Sequence, residues 1–206
     1  MYIPKLYQMN DDEAVQMMKT HPFALLITVD EKRPIATHIP VEVHEQDGKV
    51  YVTGHLAYGN MQKNTLENRE VLLIFQGPHA YISSSWYGEE QPPTWNYLAV
   101  HAYGNARVIS EEELRSALIA MLDRYESPRE NGRLWHTFDP DFLESQMKGI
   151  VGFEITITLI EAKAKMSQNR SDTDYQSIVS ELGKSNEQDE IHVAAWMRER
   201  RKGLFS

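Results

Sequence analysis

Several segments of this chain alternate apolar and polar side chains with a period of two, and that periodicity limits what the chain can fold into. From Ile35 to His44, the residues Ile39, Val41 and Val43 fall on one side and Pro40, Glu42 and His44 on the other. Gln46-Asp47-Gly48 then supplies hairpin turn chemistry, and Val50, Tyr51 and Val52 return the chain. Trp95 to Val108 is a longer run of the same kind, with Tyr97, Ala99, His101 and Tyr103 sharing one face. Phe153, Ile155, Ile157 and Leu159 alternate with Glu154, Thr156 and Thr158, as expected of a half-buried antiparallel strand. Phe23–Val29 (FALLITV) reads as a buried strand that ends at the turn Asp30-Glu31-Lys32-Arg33-Pro34. Two further short strands are predicted at Val71–Phe75 and His79–Ser83, joined by a turn at Gln76-Gly77-Pro78. Ser84–Pro93, with Gly88 and Pro92-Pro93, reads as a loop.

Helices flank these strands. Asn10-Asp11-Asp12-Glu13 opens a short capped helix, and Ser110-Glu111-Glu112-Glu113 is a capping box ahead of a stripe of Leu114, Ala117, Leu118, Met121, Leu122 and Tyr125. Asp139-Pro140 starts another helix, with Asp as cap and Pro in the first turn. Beyond Arg170 the character changes to two helices, Asp172 to Leu182 and a charged one from Glu187 to Lys202, and the charged tail is expected to be mobile. The expected fold is mainly β with flanking helices: six or seven antiparallel strands in a small barrel over residues 1–170, and a C-terminal helical extension over residues 171–206.

Composition excludes several functions. In 206 residues there are 21 Lys plus Arg against 30 Asp plus Glu, a net charge of −9 that opposes a general basic coat for nucleic acid. With no cysteine, disulfides, Cys-zinc sites and thiolate catalysis are absent. The start, Met-Tyr-Ile-Pro-Lys, lacks the pattern of a signal peptide, and no apolar run reaches the length that spans a bilayer. A soluble cytoplasmic protein with no membrane partner is the expectation. No G-x-S-x-G elbow, P-loop, dinucleotide fingerprint or zinc-protease helix is present, so no catalytic residue and no metal site are assigned.

Polar and aromatic residues set into strand contexts carry the remaining information. Thr37-His38 lies inside a strand, Thr53-Gly54-His55 ends one, and Asn60-Met61-Gln62-Lys63 follows. His79, Tyr81 and Ser83 alternate ahead of Trp86-Tyr87, Thr94-Trp95-Asn96-Tyr97 begins the long strand, and Lys165 and Ser167-Gln168-Asn169-Arg170 follow the last one. Singly these are ordinary core, turn or surface residues. Together they match a planar anionic ligand, which needs a cation and several donors for a phosphate and an apolar wall with edge donors for a ring.

The strings MYIPK, ATHIP (36–40), FQGPHAYIS (75–83), PTWNYLAVHAYG (93–104), KGIVGFEI (148–155) and KMSQNRS (165–171) resemble the PaiB-type family of FMN-binding negative transcriptional regulators, protease synthase and sporulation negative regulatory proteins. The resemblance implies a split β-barrel of the pyridoxamine-phosphate-oxidase-like type, a homodimer, and FMN in a groove between subunits. It implies phosphate contacts from Thr53, His55, Asn60, Gln62 and Lys63, with Thr37 and His38 on the neighbouring strand. Ser83, Trp86, Trp95 and Asn96 would come from the partner subunit. Between His55 and Gln62 this chain reads Leu-Ala-Tyr-Gly-Asn-Met where relatives tend to carry Asn-Pro ahead of the Gln, and Ser84 stands where Pro is common. The implied role is negative regulation of degradative-enzyme and sporulation genes. A flavin-dependent oxidoreductase or a haem-handling protein is the alternative. DNA enters as a partner by family analogy alone, and the one dense basic cluster is Arg198, Arg200, Arg201 and Lys202.

Overall fold

The computed structural model describes residues 1–31 and 33–205, so Lys32 in the expected turn before Pro34 lies outside the described residues. Six strands, β1 (Phe23–Val29), β2 (Pro34–Gln46), β3 (Lys49–Ala57), β4 (Arg69–Ile82), β5 (Thr94–Val108) and β6 (Ile150–Lys165), form a closed barrel in the order β1-β2-β3-β6-β5-β4. The α-helices are α1 (Asp11–Thr20), α2 (Glu111–Glu126), α3 (Pro140–Met147), α4 (Asp172–Leu182) and α5 (Gln188–Arg200).

The β2–β3 hairpin turns where the sequence places it. Asp47 and Gly48 both have positive φ, 51° and 73°, the geometry that matches the twist of a two-residue hairpin. The ladder then runs from Gln46↔Lys49 to Val41↔Gly54. Its inward side chains, Ile39, Val41, Val43 and Val52, are buried, as the alternation requires.

One expectation fails. The two short strands predicted around Gln76-Gly77-Pro78 are a single strand, β4. Gly77 is present for close approach, since a Cβ there would lie 2.9 Å from both Leu98 Cβ and Met17 Cε. Gly and Pro suggest a turn only where the chain is free to turn; here packing needs the missing side chain instead. The segment read as a loop opens with one 3-10 turn over Ser84–Trp86.

Helix starts follow their caps. The Ser110 side chain accepts from the Glu113 N–H while the Glu113 carboxylate accepts from the Ser110 N–H, so the capping box of α2 is complete. The Asp139 carboxylate accepts from the Phe142 N–H at the start of α3.

Packing divides the chain into two units. One comprises Met18–Phe75 and His101–Ile160, and the other Met1–Met17, Gln76–Val100 and Glu161 onwards. In the first, α2 lies against β2 and β3, where Leu114, Ala117, Leu118 and Met121 line a crevice with Pro40 and His55. In the second, the charged C-terminal segment, expected as a mobile tail, instead forms a helix packed on α4, because its few apolar residues share one buried side. Tyr175, Ile178 and Leu182 of α4 and Val193, Ala194 and Met197 of α5 are all buried, and the Tyr175 hydroxyl donates to the Met197 carbonyl at 2.8 Å.

Candidate functional site

In the first unit the segment between β3 and β4 forms a 3-10 turn, Met61–Thr65, capped by the Asn60 side chain, which accepts from the Gln62 N–H at 2.9 Å. Gln62 is fully buried. Its amide donates to the carbonyls of Leu26 (3.1 Å) and Ile35 (3.3 Å), and its side-chain carbonyl accepts from the Thr37 hydroxyl at 2.5 Å. Asn60 Nδ2 donates to the same Thr37 oxygen at 3.1 Å. Thr65 continues the network: its hydroxyl donates to the Gln62 carbonyl at 2.7 Å and lies 2.6 Å from the Thr28 hydroxyl, from which it accepts. Thr37, Asn60 and Gln62 are therefore brought together as expected, but their side-chain polar atoms are engaged with one another. They hold the turn against β1 and β2, and Lys63 is the group of that set left to face a ligand.

The Lys63 ammonium lies 3.4 Å from the centroid of the Tyr58 ring and donates to the Tyr58 carbonyl. Such a cation–π contact fixes a flexible side chain while keeping its charge. Tyr58 itself is 61% exposed, so the pair is open to solvent. Tyr58 has no individual signature in the sequence; an exposed aromatic five residues before a lysine is common and acquires meaning only from the turn.

Thr53 and His55 point to the other side of β3, beneath α2. Burial pushes the His55 imidazole below its ordinary value, favouring the neutral ring. The adjoining cleft has a volume of about 540 Å³, lined by Thr53 with Glu42, His44, Glu112, Glu113 and Glu154. Arg107 bridges Glu113 and Glu154, with Nη2–Oε1 distances of 2.8 and 2.7 Å, and these hydrogen bonds draw the Glu113 carboxyl down to about 2. Glu42 is likewise paired, with Arg124 at 2.5 Å, so the arginines beside this cleft are already engaged with its carboxylates.

His38 belongs to a different surface. On β1, Ala24, Leu26 and Thr28 are buried inside, which places Phe23, Leu25, Ile27 and Val29 outward. The register sets Leu25 opposite both His38 and Ile74, and Ile27 opposite both Ala36 and Leu72. The outer face of β2, β1 and β4 is thus an apolar surface carrying one imidazole, and the His38 ring stacks on Phe23 with centroids 6.0 Å apart. Phe23 and Val29 are 65% and 62% exposed.

The remaining expected residues lie in the second unit. Ser83 caps the short turn holding Trp86, accepting from the Ser85 N–H at 3.2 Å. Trp95 is 52% exposed and packs against His79 (6.0 Å) and, edge-on, Tyr81 (5.8 Å). Asn96 is fully buried, with its carbonyl accepting from the Ser167 hydroxyl at 3.1 Å and its amide donating to Met197 Sδ at 3.5 Å. Its side chain holds the core around α5.

The family model described as "Putative FMN-binding domain" matches residues 1–159. Protease synthase and sporulation protein PAI 2 of Bacillus subtilis is 45% identical over 204 residues, 98% of this chain and 99% of that one. An uncharacterised protein of Emericella nidulans is 28% identical over 215 residues, covering 80% and 83% of the two chains. Among solved structures, the flavocytochrome Anf3 of Azotobacter vinelandii matches with a TM-score of 0.62 at 18% identity, over 85% of this chain and 78% of that one. The FAD and haem binding protein of Mycobacterium smegmatis matches with a TM-score of 0.59 at 15% identity, over 82% and 78%. At such identities the likeness is one of fold, and it agrees with the barrel that the resemblance implied.

Proposed function

Because the chain belongs to the family described as "Putative FMN-binding domain" and is similar to PAI 2 over nearly its whole length, we propose that it binds FMN as a homodimer and acts as a negative regulator of degradative-enzyme and sporulation genes. The observation that carries the flavin part is the exposed Lys63–Tyr58 pair at the capped turn after β3. It supplies a fixed cation, the charge that a phosphate monoester needs opposite it. The outer face of β1, β2 and β4 supplies the second requirement, an apolar wall with the exposed His38 at its edge, suited to an aromatic ring system. Bound FMN would bring reversible two-electron chemistry. The chain's own residues bind and orient: Lys63 neutralises the phosphate charge, Gln62 and Thr37 keep the turn in place, and Phe23, Leu25 and Ile27 exclude water from the wall.

The same wall motivates the dimer. A contiguous outward sheet face bearing Phe23, Leu25, Ile27, Leu72 and Ile74 costs free energy in water, and a twofold partner covers it. In this reading Trp86 and Trp95 approach the flavin from the second subunit. DNA contact rests on the resemblance to the regulator family. The basic cluster offers it little support: Arg200 pairs with Glu13 at 2.7 Å, Arg201 with Asp172 at 2.9 Å and Lys202 with Glu199 at 2.5 Å.

A Bacillus subtilis strain lacking PAI 2 tests the regulatory role. Expression of this chain is expected to lower secreted protease activity, and Ile27→Glu, which places a charge on the wall, is expected to abolish the effect and to yield a monomer in sedimentation. Protease levels unchanged by the wild-type chain would contradict the proposal.

A further inference from the structure

The KMSQNRS segment has no part in the flavin site described above, yet it holds two cations that the fold leaves without counter-charge. Lys163 and Lys165 are two apart on β6 and project to the same side, opposite the buried Ala162, Ala164 and Met166. The Lys165 ammonium donates to the Thr94 hydroxyl. Arg170 donates to Gln91 Oε1 at 2.6 Å and lies 4.5 Å from the centroid of the Tyr87 ring. Among the described residues, no carboxylate pairs with Lys165 or Arg170. In a chain of net charge −9, with 30 Asp plus Glu against 21 Lys plus Arg, two neighbouring cations without a carboxylate partner stand out. Burial lowers the Lys165 pKa; Tyr97 opposes that shift, and the nearby charges of Lys163 and Arg170 add to it.

Two further observations point to a ligand. The Tyr87 hydroxyl, on the ring that Arg170 covers, is buried without a hydrogen-bond partner among the described residues. A buried hydroxyl in that state carries a desolvation cost that an incoming acceptor would relieve. Aromatic surface also lies next to the cations. The Lys163 ammonium sits 5.4 Å from the centroid of the Tyr97 ring, and Tyr97 is two residues along β5 from the exposed Trp95, itself packed against Tyr81 and His79.

From this juxtaposition we infer that Lys165 and Arg170, with Thr94 and Tyr87, form an oxyanion site for an aromatic phosphate or carboxylate whose ring rests on the Tyr97–Trp95 surface. The lysine offers a point charge, the guanidinium a fork of donors, and the two hydroxyls complete the set that a tetrahedral or planar oxyanion accepts from. The exposed rings offer stacking for a flat ligand. Anionic flavin and a separate aromatic acid share this chemistry. Its oxyanion donors, Lys165, Arg170, Thr94 and Tyr87, are all distinct from Lys63, and only Trp95 is shared with the flavin reading.

The test is calorimetric titration of the full-length protein with phenyl phosphate, using phenol as the uncharged control. Phenyl phosphate is expected to bind at least tenfold more tightly than phenol. Lys165→Met and Arg170→Met should each weaken it about tenfold or more, Tyr87→Phe by a few fold, and Lys165→Arg should largely restore it. Circular dichroism melts check that each variant folds, and Tyr87→Phe, which removes one atom, remains informative if the charge variants do not. If FMN displaces phenyl phosphate and Lys165→Met weakens both, the oxyanion is the flavin's own; if phenyl phosphate binds equally with FMN present, it is that of a separate ligand. Equal binding of phenol and phenyl phosphate, or binding indifferent to Lys165, Arg170 and Tyr87, would overturn the inference. Loss of FMN binding with phenyl phosphate binding intact would count against the flavin reading and leave this site standing.

Discussion

The Thr37 hydroxyl donates to Gln62 Oε1 across 25 residues of sequence, and Gln62, with no exposed surface, uses its amide on the carbonyls of Leu26 and Ile35. One side chain thereby ties the turn after β3 to both β1 and β2. Gln62→Ala takes the amide donor from those carbonyls and the acceptor from the Thr37 O–H, and opens a cavity, at an expected cost of about 2–4 kcal/mol. Thr37→Val removes one donor from the same network and is expected to cost about 1 kcal/mol. Urea denaturation of the two variants measures this directly, and an unchanged midpoint for Gln62→Ala would show that the network does not hold the turn.

His55 makes stability depend on pH in a particular direction. Burial beneath α2 lowers its folded pKa below the ordinary 6.5, so between the two values the unfolded chain binds more protons than the folded one. Its neutral ring costs nothing above 6.5, and stability declines as pH falls from 6.5 through the lower folded value. His55→Gln should flatten the pH dependence of the melting temperature in that window. A slope that is unaltered in the variant would place the responsible group elsewhere.

Glu113 acts in a more acidic range. Its hydrogen bonds from Arg107, and then from the Ser110 N–H, hold the carboxyl near 2, against 4.5 for the unperturbed group. The contribution is present above pH 4.5 and is lost as pH falls toward 2. Solvent exposure keeps it modest. In Glu113→Gln, melting temperatures should converge with those of wild type as pH is lowered from 5 to 2; a gap that stays constant would mean that the Arg107 pairing is not what the charge provides.

Most of the barrel is legible in the sequence because its strands are half-buried and alternate. FALLITV is β1 to the residue, and the Asp47-Gly48 turn, the Ser110 capping box and the Asp139 cap are all found. β4 was not legible as one strand, because Gly77 and Pro78 carry turn chemistry while packing against Leu98 and Met17 decides the outcome. At the site, the sequence marks Thr37, Asn60, Gln62 and Lys63 as polar residues near one another in the fold. It does not show that the first three face inward on each other, since inward polarity is visible only once the register is known. Asn96 is hidden for the same reason: its partners, Ser167 and Met197, are 71 and 101 residues away.

FMN titration of the purified protein, followed by flavin fluorescence and absorbance, with Lys63→Ala in parallel, is the most direct measurement. The expected result is saturable binding of FMN, weaker binding of riboflavin, and at least a tenfold loss of FMN affinity in Lys63→Ala with its melting temperature nearly unchanged. Absence of binding by the wild-type chain, or equal affinity in the variant, would contradict the assignment of the Tyr58–Lys63 turn as the flavin phosphate site.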